Sequence, residues 1–405
     1  MGIYSSSFIT VAAANSTEAA KSNADFVCTG RGDELTIQTA VDECIATGKN
    51  LFLHNGRYRV DAFHNFADGG PKSAIRIPSA RRELIILGEN FRNTKDSGVT
   101  IYVTEEALLS ANGEDVDVIR TAWCDRGIGS GSALRIENIA IALSSNRHRV
   151  RCIDLRRCDR PEIKNMYLTA IEDMNAWLGN PPSVPTEGCI GLTLTDGSNQ
   201  GFSNYTDVLA IGFYEGIQVG GEHVILTNCG TIMCFYGFTF GNYEMHCGFN
   251  HPITLINCCD ERNVNLPLFN RCGDDDGNGG RLHGLQEVKM ISFNIERIAA
   301  QTPGGVLGDV MREVIPGSFR GTVEFTAQPS WCHLNEVNFK LWEEDGSGSG
   351  FVTRNVCHKT VCTTEERLSY YPSPGQQIYD TDLNKILICT DPAKRKWVDA
   401  LGVEV

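Results

Sequence analysis

Four acidic residues in one stretch of the sequence have the type and spacing that glycan chemistry requires. Glu222, Glu244, Asp260 and Glu261 lie between Gly220 and Asp276, at intervals of 22 residues (244 minus 222) and 17 residues (261 minus 244). If the chain returns to one face with a period near these intervals, the carboxylates stack in one line. Two carboxyl groups about 5 to 10 Å apart can cleave a glycosidic bond, one as acid and the other as base or nucleophile. These four residues are therefore candidate catalytic groups, and simple solvation of surface turns is the alternative for each of them.

Basic and aromatic side chains near this stretch could hold a sugar. Four of them are interleaved with the acidic residues: His223, His246, His251 and Arg262. An arginine or histidine beside a general base could also steady the carboxylate of a uronate during β-elimination. Trp177 stands in a proline-rich loop from Glu172 to Glu187, where its ring could stack on a sugar face. These five residues are the candidate substrate-binding groups.

A metal site is the alternative interpretation of the histidines and their neighbouring cysteines. The residues concerned are His246, Cys247, His251, Cys258 and Cys259, and they do not have zinc-finger spacing. Asp274, Asp275 and Asp276 resemble a calcium loop, but the alternate-position ligands and closing glutamate of an EF-hand are missing. The sequence therefore predicts neither a bound metal nor a cofactor, and calcium binding by the three aspartates stays an open alternative.

Charge and composition restrict the partners of the protein. The chain has 405 residues and a formal net charge of -14, from 36 basic and 50 acidic residues. Such a charge repels phosphate backbones and anionic lipid, so we expect neither a nucleic-acid partner nor membrane insertion. The apolar run from Phe8 to Ala14 is short and follows no basic residue, which predicts that no signal peptide is present. We expect most of the 16 cysteines to be reduced and buried as small apolar side chains.

Short apolar segments separated by polar turns run through most of the chain and predict an all-β protein. Five asparagines recur beside these segments: Asn138, Asn165, Asn204, Asn228 and Asn257. Their intervals are 27, 39, 24 and 29 residues, and the long interval contains the loop from Glu172 to Glu187, which looks like an insertion. This period is that of one coil of a β-solenoid, in which stacked asparagines bond to each other and to the turns.

The elements that precede these segments give the first resemblance to a known family. From Asp33, five apolar residues follow at helical spacing: Ile37, Ala40, Val41, Cys44 and Ile45. Gly48 ends the predicted helix, and two short strands joined by the turn Asn55-Gly56 come next. This order resembles the N-terminal cap of pectin-lyase-like proteins. The resemblance implies a right-handed parallel β-helix with an N-terminal capping helix, and carbohydrate sites along its exposed face or between subunits.

The C-terminal end has a different composition. A GSGSG segment, residues 346–350, reads as a linker, and the sequence beyond it predicts a strand at Gln377 to Asp380, a hairpin and two further strands. The region from Arg367 to Gly402 resembles a small module at the ends of phage and prophage tail-fibre and tailspike proteins. The predicted division is an N-terminal extension over 1–29, a capped β-helix over 30–345, and a linker with a small C-terminal β module over 346–405.

Together these resemblances imply a phage or prophage tailspike-like protein that recognises and degrades a bacterial surface polysaccharide. They imply a homotrimer located in the virion tail, with other phage tail proteins as partners. A non-catalytic receptor-binding or structural tail protein is one alternative. A free polysaccharide lyase or glycoside hydrolase is the other.

Overall fold

The computed structural model describes residues 7–79, 83–90, 98–122, 132–156, 158–171, 184–193, 203–221, 223–241, 252–261, 265–271, 288–296, 311–313, 321–325, 351–353, 361–369, 377–391, 394 and 396–405. The described chain is mostly β, with two long sheets and a smaller third one. The first sheet has sixteen strands: β1 (Phe8–Ala12), β2 (Phe26–Val27), β3 (Asn50–Leu53), β4 (Gly56–Val60), β6 (Glu83–Gly88), β7 (Val99–Val103), β9 (Ser132–Leu143), β11 (Cys158–Thr169), β13 (Ser203–Ile211), β15 (Val224–Thr227), β16 (Gly230–Ile232), β18 (Ile253–Ile256), β19 (Cys259–Glu261), β21 (Val288–Glu296), β23 (Gly321–Phe325) and β24 (Phe351–Thr353). The second sheet has eight: β5 (Lys72–Ile77), β8 (Val116–Thr121), β10 (Val150–Asp154), β12 (Ile190–Thr193), β14 (Glu215–Val219), β17 (Tyr236–Phe240), β20 (Leu266–Asn270) and β22 (Met311–Glu313).

The strand pairings within these two sheets are parallel. From β8 onward the chain alternates between the second sheet and the first, and each strand pairs with the strand one coil earlier. This arrangement is consistent with the predicted parallel β-helix. The interior is apolar, and one row of it runs through the second sheet in register: Ile119, Ile153, Leu192, Ile217, Phe238 and Leu268.

A left-handed residue divides several of the described coils of the first sheet into two arms. In β9 and β11 it is Asn138 and Asn165, and between later strands it is Asn228 and Asn257, all with φ between 52° and 62°. Asn165 Nδ2 donates to Asn138 Oδ1 at 2.9 Å, and Asn257 Nδ2 donates to Asn228 Oδ1 at 2.7 Å. Asparagine tolerates the left-handed conformation better than most residues. Its amide also bonds to the amide of the next coil, so the turn and this ladder of hydrogen bonds favour the same side chain.

One member of the predicted asparagine ladder was wrong. Asn204 lies in the first arm of β13, in register with Glu162, and the left-handed position of that coil is Asp207, with φ of 55°. Asp207 Oδ1 accepts a hydrogen bond from Asn228 Nδ2 at 3.2 Å. Aspartate shares the tolerance of asparagine for a left-handed turn, so spacing alone did not distinguish the two residues.

Replacing Asp207 with asparagine is expected to stabilise the protein by about 1 kcal/mol. A carboxylate has no hydrogen to donate, whereas an amide at this position could donate to Asn165 as the other ladder amides do. Urea unfolding of Asp207→Asn beside the wild type measures the gain. Asp207→Ala is the control, because it offers neither donor nor acceptor and should lose stability. An Asp207→Asn protein no more stable than the wild type would contradict the account of the ladder.

In the part of the chain that the structure describes, four helices accompany the sheets: α1 (Glu18–Asn23), α2 (Asp33–Thr47), α3 (Glu105–Ser110) and α4 (Thr364–Ser369). The predicted helix is confirmed as α2, which buries Ile37, Ala40, Val41 and Cys44 and packs against β1, β3, β4 and β5. Asp33 does not cap its own helix. Its carboxylate instead accepts from the backbone N–H groups of Gly30 (2.8 Å) and Arg59 (2.9 Å), which ties the start of α2 to β4. Among the described residues, every helix is too short or too polar to cross a lipid bilayer.

The third sheet lies in the C-terminal part of the chain. Its strands are β25 (Val361–Cys362), β26 (Gln377–Asp380), β27 (Lys385–Asp391) and β28 (Lys396–Asp399). The last three pair antiparallel, and β26 and β27 form the hairpin that the sequence predicts. Trp397 is fully buried in a small core of its own with Cys362, Ile378, Leu387 and Cys389.

The described cysteines confirm the prediction of buried thiols for their part of the chain. All eleven are free, and Cys259 alone among them is not fully buried. Burial raises the pKa of the Cys28 and Cys234 thiols to about 12. These side chains therefore act as small apolar groups rather than nucleophiles.

Candidate functional site

Asp260 and Glu261 do not form the exposed pair that the sequence predicts. Both lie in β19, where successive side chains point to opposite sides. Asp260 is fully buried, in register with Thr231 and with the core residue Ile295, and Thr231 Oγ1 donates to Asp260 Oδ2 at 2.6 Å. Glu261 is partly exposed. One carboxylate thus faces the interior and the other faces outward, so the two do not line one groove.

Of the other predicted site residues, the structure describes His223. This residue is partly exposed, has a left-handed φ of 53°, and precedes β15, and its carbonyl accepts a hydrogen bond from the N–H of Ser203 at 3.2 Å. The remaining candidates lie outside the described residues: Glu222, Glu244, His246, His251, Arg262 and Trp177, with Asp274, Asp275 and Asp276. In the sequence, Glu222 follows β14 and Glu244 follows β17.

Four aromatic side chains on the second sheet were not predicted as a site. Tyr214, Phe235, Tyr236 and Phe269 are all half-buried. Tyr214 stacks on Phe235 with ring centroids 4.9 Å apart, and Tyr236 stacks on Phe269 at 4.5 Å. Edge contacts from Tyr236 to Tyr214 (5.5 Å) and to Phe235 (4.7 Å) join the two stacks. The four rings therefore make one continuous cluster, called the aromatic surface below.

The register of three strands assembles the aromatic surface. Tyr214 and Phe235 directly precede β14 and β17, and Phe269 lies in β20 in register with Thr239. The coil that carries Tyr214 continues with Gly216, which approaches the interior closely. A Cβ at Gly216 would lie 2.6 Å from Thr231 Cγ2, so only glycine fits there.

A sequence signal for these rings existed. Residues 214–217 and residues 235–238 share one pattern: an aromatic residue, then Glu or Tyr, then glycine, then an apolar residue. The two segments are 21 residues apart (235 minus 214). An interval near one coil places the two segments on neighbouring strands, and their aromatic side chains then stack.

An ion pair lies beside the rings. Glu215 is only 3% exposed, and its Oε1 accepts from Arg271 Nη1 at 2.7 Å. Its Oε2 accepts from Thr239 Oγ1 at 2.7 Å and from Gln218 Nε2 at 2.9 Å. A carboxylate with this many donors is matched in charge and held in one orientation.

The environment of Tyr214 keeps its hydroxyl group protonated. Burial, followed by the neighbouring Tyr236 and the carboxylates of Glu187 and Glu215, raises the pKa of Tyr214 above its ordinary range. A neutral phenol can both donate and accept a hydrogen bond. The surface therefore combines flat apolar faces with polar groups at their edges.

A second group of charged side chains lies at the same sheet, in β8, in β10 and just after β10. Arg151 Nε bonds Asp117 Oδ1 and lies 3.8 Å from Asp154 Oδ2, and Arg156 Nη2 lies 2.7 Å from Asp154 Oδ2. Burial raises the pKa of Asp117 to about 6. Burial acts in the same direction on Asp154, but Arg156 and Arg151 outweigh it and hold the pKa of Asp154 below its ordinary range. Asp117 is fully buried, so its position suits a structural role better than contact with a substrate.

A metal centre is not formed by the part of the chain that the structure describes, where no three His, Cys, Asp or Glu side chains converge on one point. Of the alternative metal ligands, Cys258 is buried in the core, and its Sγ contacts the carbonyls of Leu226 and Ile256 at 3.6 Å.

Three solved structures show what this chain is similar to. The A-module of mannuronan C-5 epimerase AlgE4 from Azotobacter vinelandii is 12% identical, over 72% of this chain and 89% of that chain, with a TM-score of 0.28. ORF18 of Geobacillus virus E2 is 8% identical, over 92% and 82%, with a TM-score of 0.26. Tailspike protein 3 of bacteriophage CBA120 is 10% identical, over 91% and 67%, with a TM-score of 0.19. No protein-family model and no curated protein matches the sequence. At these values the similarity supports no conclusion about function.

Proposed function

We propose that this protein is a phage or prophage tailspike-like protein that recognises a bacterial surface polysaccharide on the aromatic surface. The observation that carries the proposal is the pair of ring stacks beside the matched ion pair of Glu215 and Arg271. Sugar rings present apolar C–H faces and polar edges. Half-buried aromatic faces bordered by fixed polar groups complement both features.

The arrangement suits a polymer better than a single small sugar. The aromatic surface extends over β14, β17 and β20. Two strand spacings amount to about 10 Å, so an extended chain that crosses the strands contacts several rings in succession.

The finer architecture belongs to the same proposal. The coils wind as a right-handed parallel β-helix over residues 30–345, with α2 as the N-terminal cap, because parallel crossovers are almost always right-handed. Residues 1–29 are an extension that adds β1 and β2 to the first sheet. Residues 346–405 are a linker and a tail-protein module. The working state is a homotrimer in the virion tail, in contact with other tail proteins.

Removing one ring is expected to weaken polysaccharide binding at least about tenfold, which corresponds to about 1.4 kcal/mol. The variants are Tyr236→Ala and Phe269→Ala, and the measurement is retention of the protein on immobilised surface polysaccharides from a panel of bacterial strains. Tyr102→Ala is the matched control, since Tyr102 is also half-buried but lies in β7 beneath Arg57. Equal retention of all three variants and the wild type would contradict the proposal.

Cleavage of the bound polymer is the second candidate function. It is favoured by the order of the chain, in which Glu222 and Glu244 come three and four residues after the ends of the strands that carry Glu215 and Tyr236 (222 minus 219 and 244 minus 240). Assay of new reducing ends and of unsaturated products in the same incubations tests it. Glu222→Gln, Glu244→Gln or Glu261→Gln should then lower turnover by at least about 100-fold while binding persists. Binding without any cleavage would leave the protein a receptor-binding tail protein.

A further inference from the structure

We propose that the aromatic surface selects an uncharged polysaccharide over one that carries carboxylate, sulfate or phosphate groups. The inference rests on the proposed function and adds the chemical class of its ligand. It follows from how the charges beside the rings are already paired.

The arginine beside the rings is held by a buried partner. Arg271 Nη1 lies 2.7 Å from Glu215 Oε1, and the Arg271 side chain is 17% exposed against 4% for Glu215. An anionic sugar that drew Arg271 away would leave Glu215 buried without its counter-charge, which is strongly unfavourable. Arg271 is therefore positioned to fix Glu215 rather than to receive an anion.

Two arginines that flank β10 are also paired with carboxylates. Arg149 Nε pairs with Asp115 Oδ1, and its Nη1 donates to the carbonyl of Glu187 at 3.2 Å. Arg156 Nη2 pairs with Asp154 Oδ2 at 2.7 Å. Each of these guanidinium groups thus already has a carboxylate partner. An acidic polymer would have to compete with that carboxylate.

An exposed carboxylate, which also interacts with Arg149, adds negative charge near the rings. The carboxylate of the exposed residue Glu187 is close enough to Tyr214 to help raise the pKa of that side chain. At longer range the whole chain carries a formal charge of -14. A polyanion that approaches this surface is repelled at low salt, whereas a neutral polymer is not.

Polysaccharides that differ in charge test the inference with the full-length protein. Retention is measured on neutral and acidic bacterial surface polysaccharides, at low and high salt, for the wild type and Tyr236→Ala. A neutral polymer that binds is then oxidised at its primary hydroxyl groups, which adds carboxylates to an otherwise unchanged backbone. We expect the neutral polymer to bind with little salt dependence, and the oxidised one at least about tenfold more weakly at low salt, with partial recovery at high salt. In Glu187→Gln, the loss on oxidation should be smaller.

The two proposals fail in different ways. In one outcome, the wild type holds acidic polymers as tightly as neutral ones, while Tyr236→Ala releases both. That result would overturn the preference for uncharged polysaccharide and leave the proposed function standing. Polymers held equally by the wild type and Tyr236→Ala would overturn the proposed function itself. Retention of no polymer in the panel would do the same.

Discussion

Replacing Glu215 with alanine is expected to lower the free energy of unfolding by about 3 kcal/mol. The change removes the carboxylate that pairs with Arg271 and accepts from Thr239 Oγ1 and Gln218 Nε2. Thr239 and Gln218 are buried, so water cannot fully replace the lost bonds. Removal of one partner of a buried ion pair lowers the free energy of unfolding by several kcal/mol. Because Arg271 is partly exposed, we expect a value at the low end of that range.

Urea unfolding of Glu215→Ala measures this effect. The control is Glu18→Ala, which breaks the 2.5 Å pair with Lys21 on α1, where the Glu18 side chain is 91% exposed. Exposed pairs contribute little, so this variant should unfold at nearly the wild-type midpoint. Equal midpoints for the two variants would show that Glu215 does not hold the surface together.

Asp117 is expected to make the wild type less stable as pH rises. Replacing Asp117 with asparagine should abolish this pH dependence. The folded pKa of Asp117 is about 6, above the ordinary value of 3.8. Between these values the native protein keeps a proton that the unfolded chain has lost. The free energy of unfolding therefore falls as pH rises through this window and stays lower above it, by on the order of 3 kcal/mol.

Asparagine suits the geometry of this site. Asp117 Oδ1 accepts a hydrogen bond from Arg151 Nε, which an amide oxygen can also accept, whereas the buried Oδ2 has no hydrogen-bond partner among the described residues. We expect Asp117→Asn to be at least as stable as the wild type at pH 8. Asp154→Asn should have the opposite sign, because the lowered pKa of Asp154 contributes stability at neutral pH that is lost only in acid. Urea midpoints measured across this pH range check both variants. A difference in stability between Asp117→Asn and the wild type that does not change between about pH 4 and pH 6 would contradict the assignment to Asp117.

Much of the fold was predictable because the sequence carries strong local periodicity. The helical spacing of Ile37, Ala40 and Cys44 predicted α2, and these side chains are buried in the core. The recurring asparagines predicted the coil period and the hydrogen bonds between stacked amides. Asn204 was chosen wrongly, because a period of coils fixes a position only to within a few residues.

The candidate site was less predictable because it depends on strand register. A displacement of one residue reverses the face on which a side chain lies, and this separates buried Asp260 from Glu261. Tyr214 and Phe269 are 55 residues apart (269 minus 214) and join one cluster only after β14, β17 and β20 align. A search for acidic residues overlooks such rings, since each alone is indistinguishable from an ordinary core side chain.

Hydroxyl-radical footprinting with and without a retained polysaccharide tests the central claim most directly. It locates the bound polymer on the wild-type protein without a mutation. We predict that the polymer lowers oxidation of Tyr214, Phe235, Tyr236 and Phe269, while Tyr102 on the first sheet is oxidised equally in both samples. Unchanged oxidation of the four rings, with protection confined to other parts of the chain, would contradict recognition at the aromatic surface.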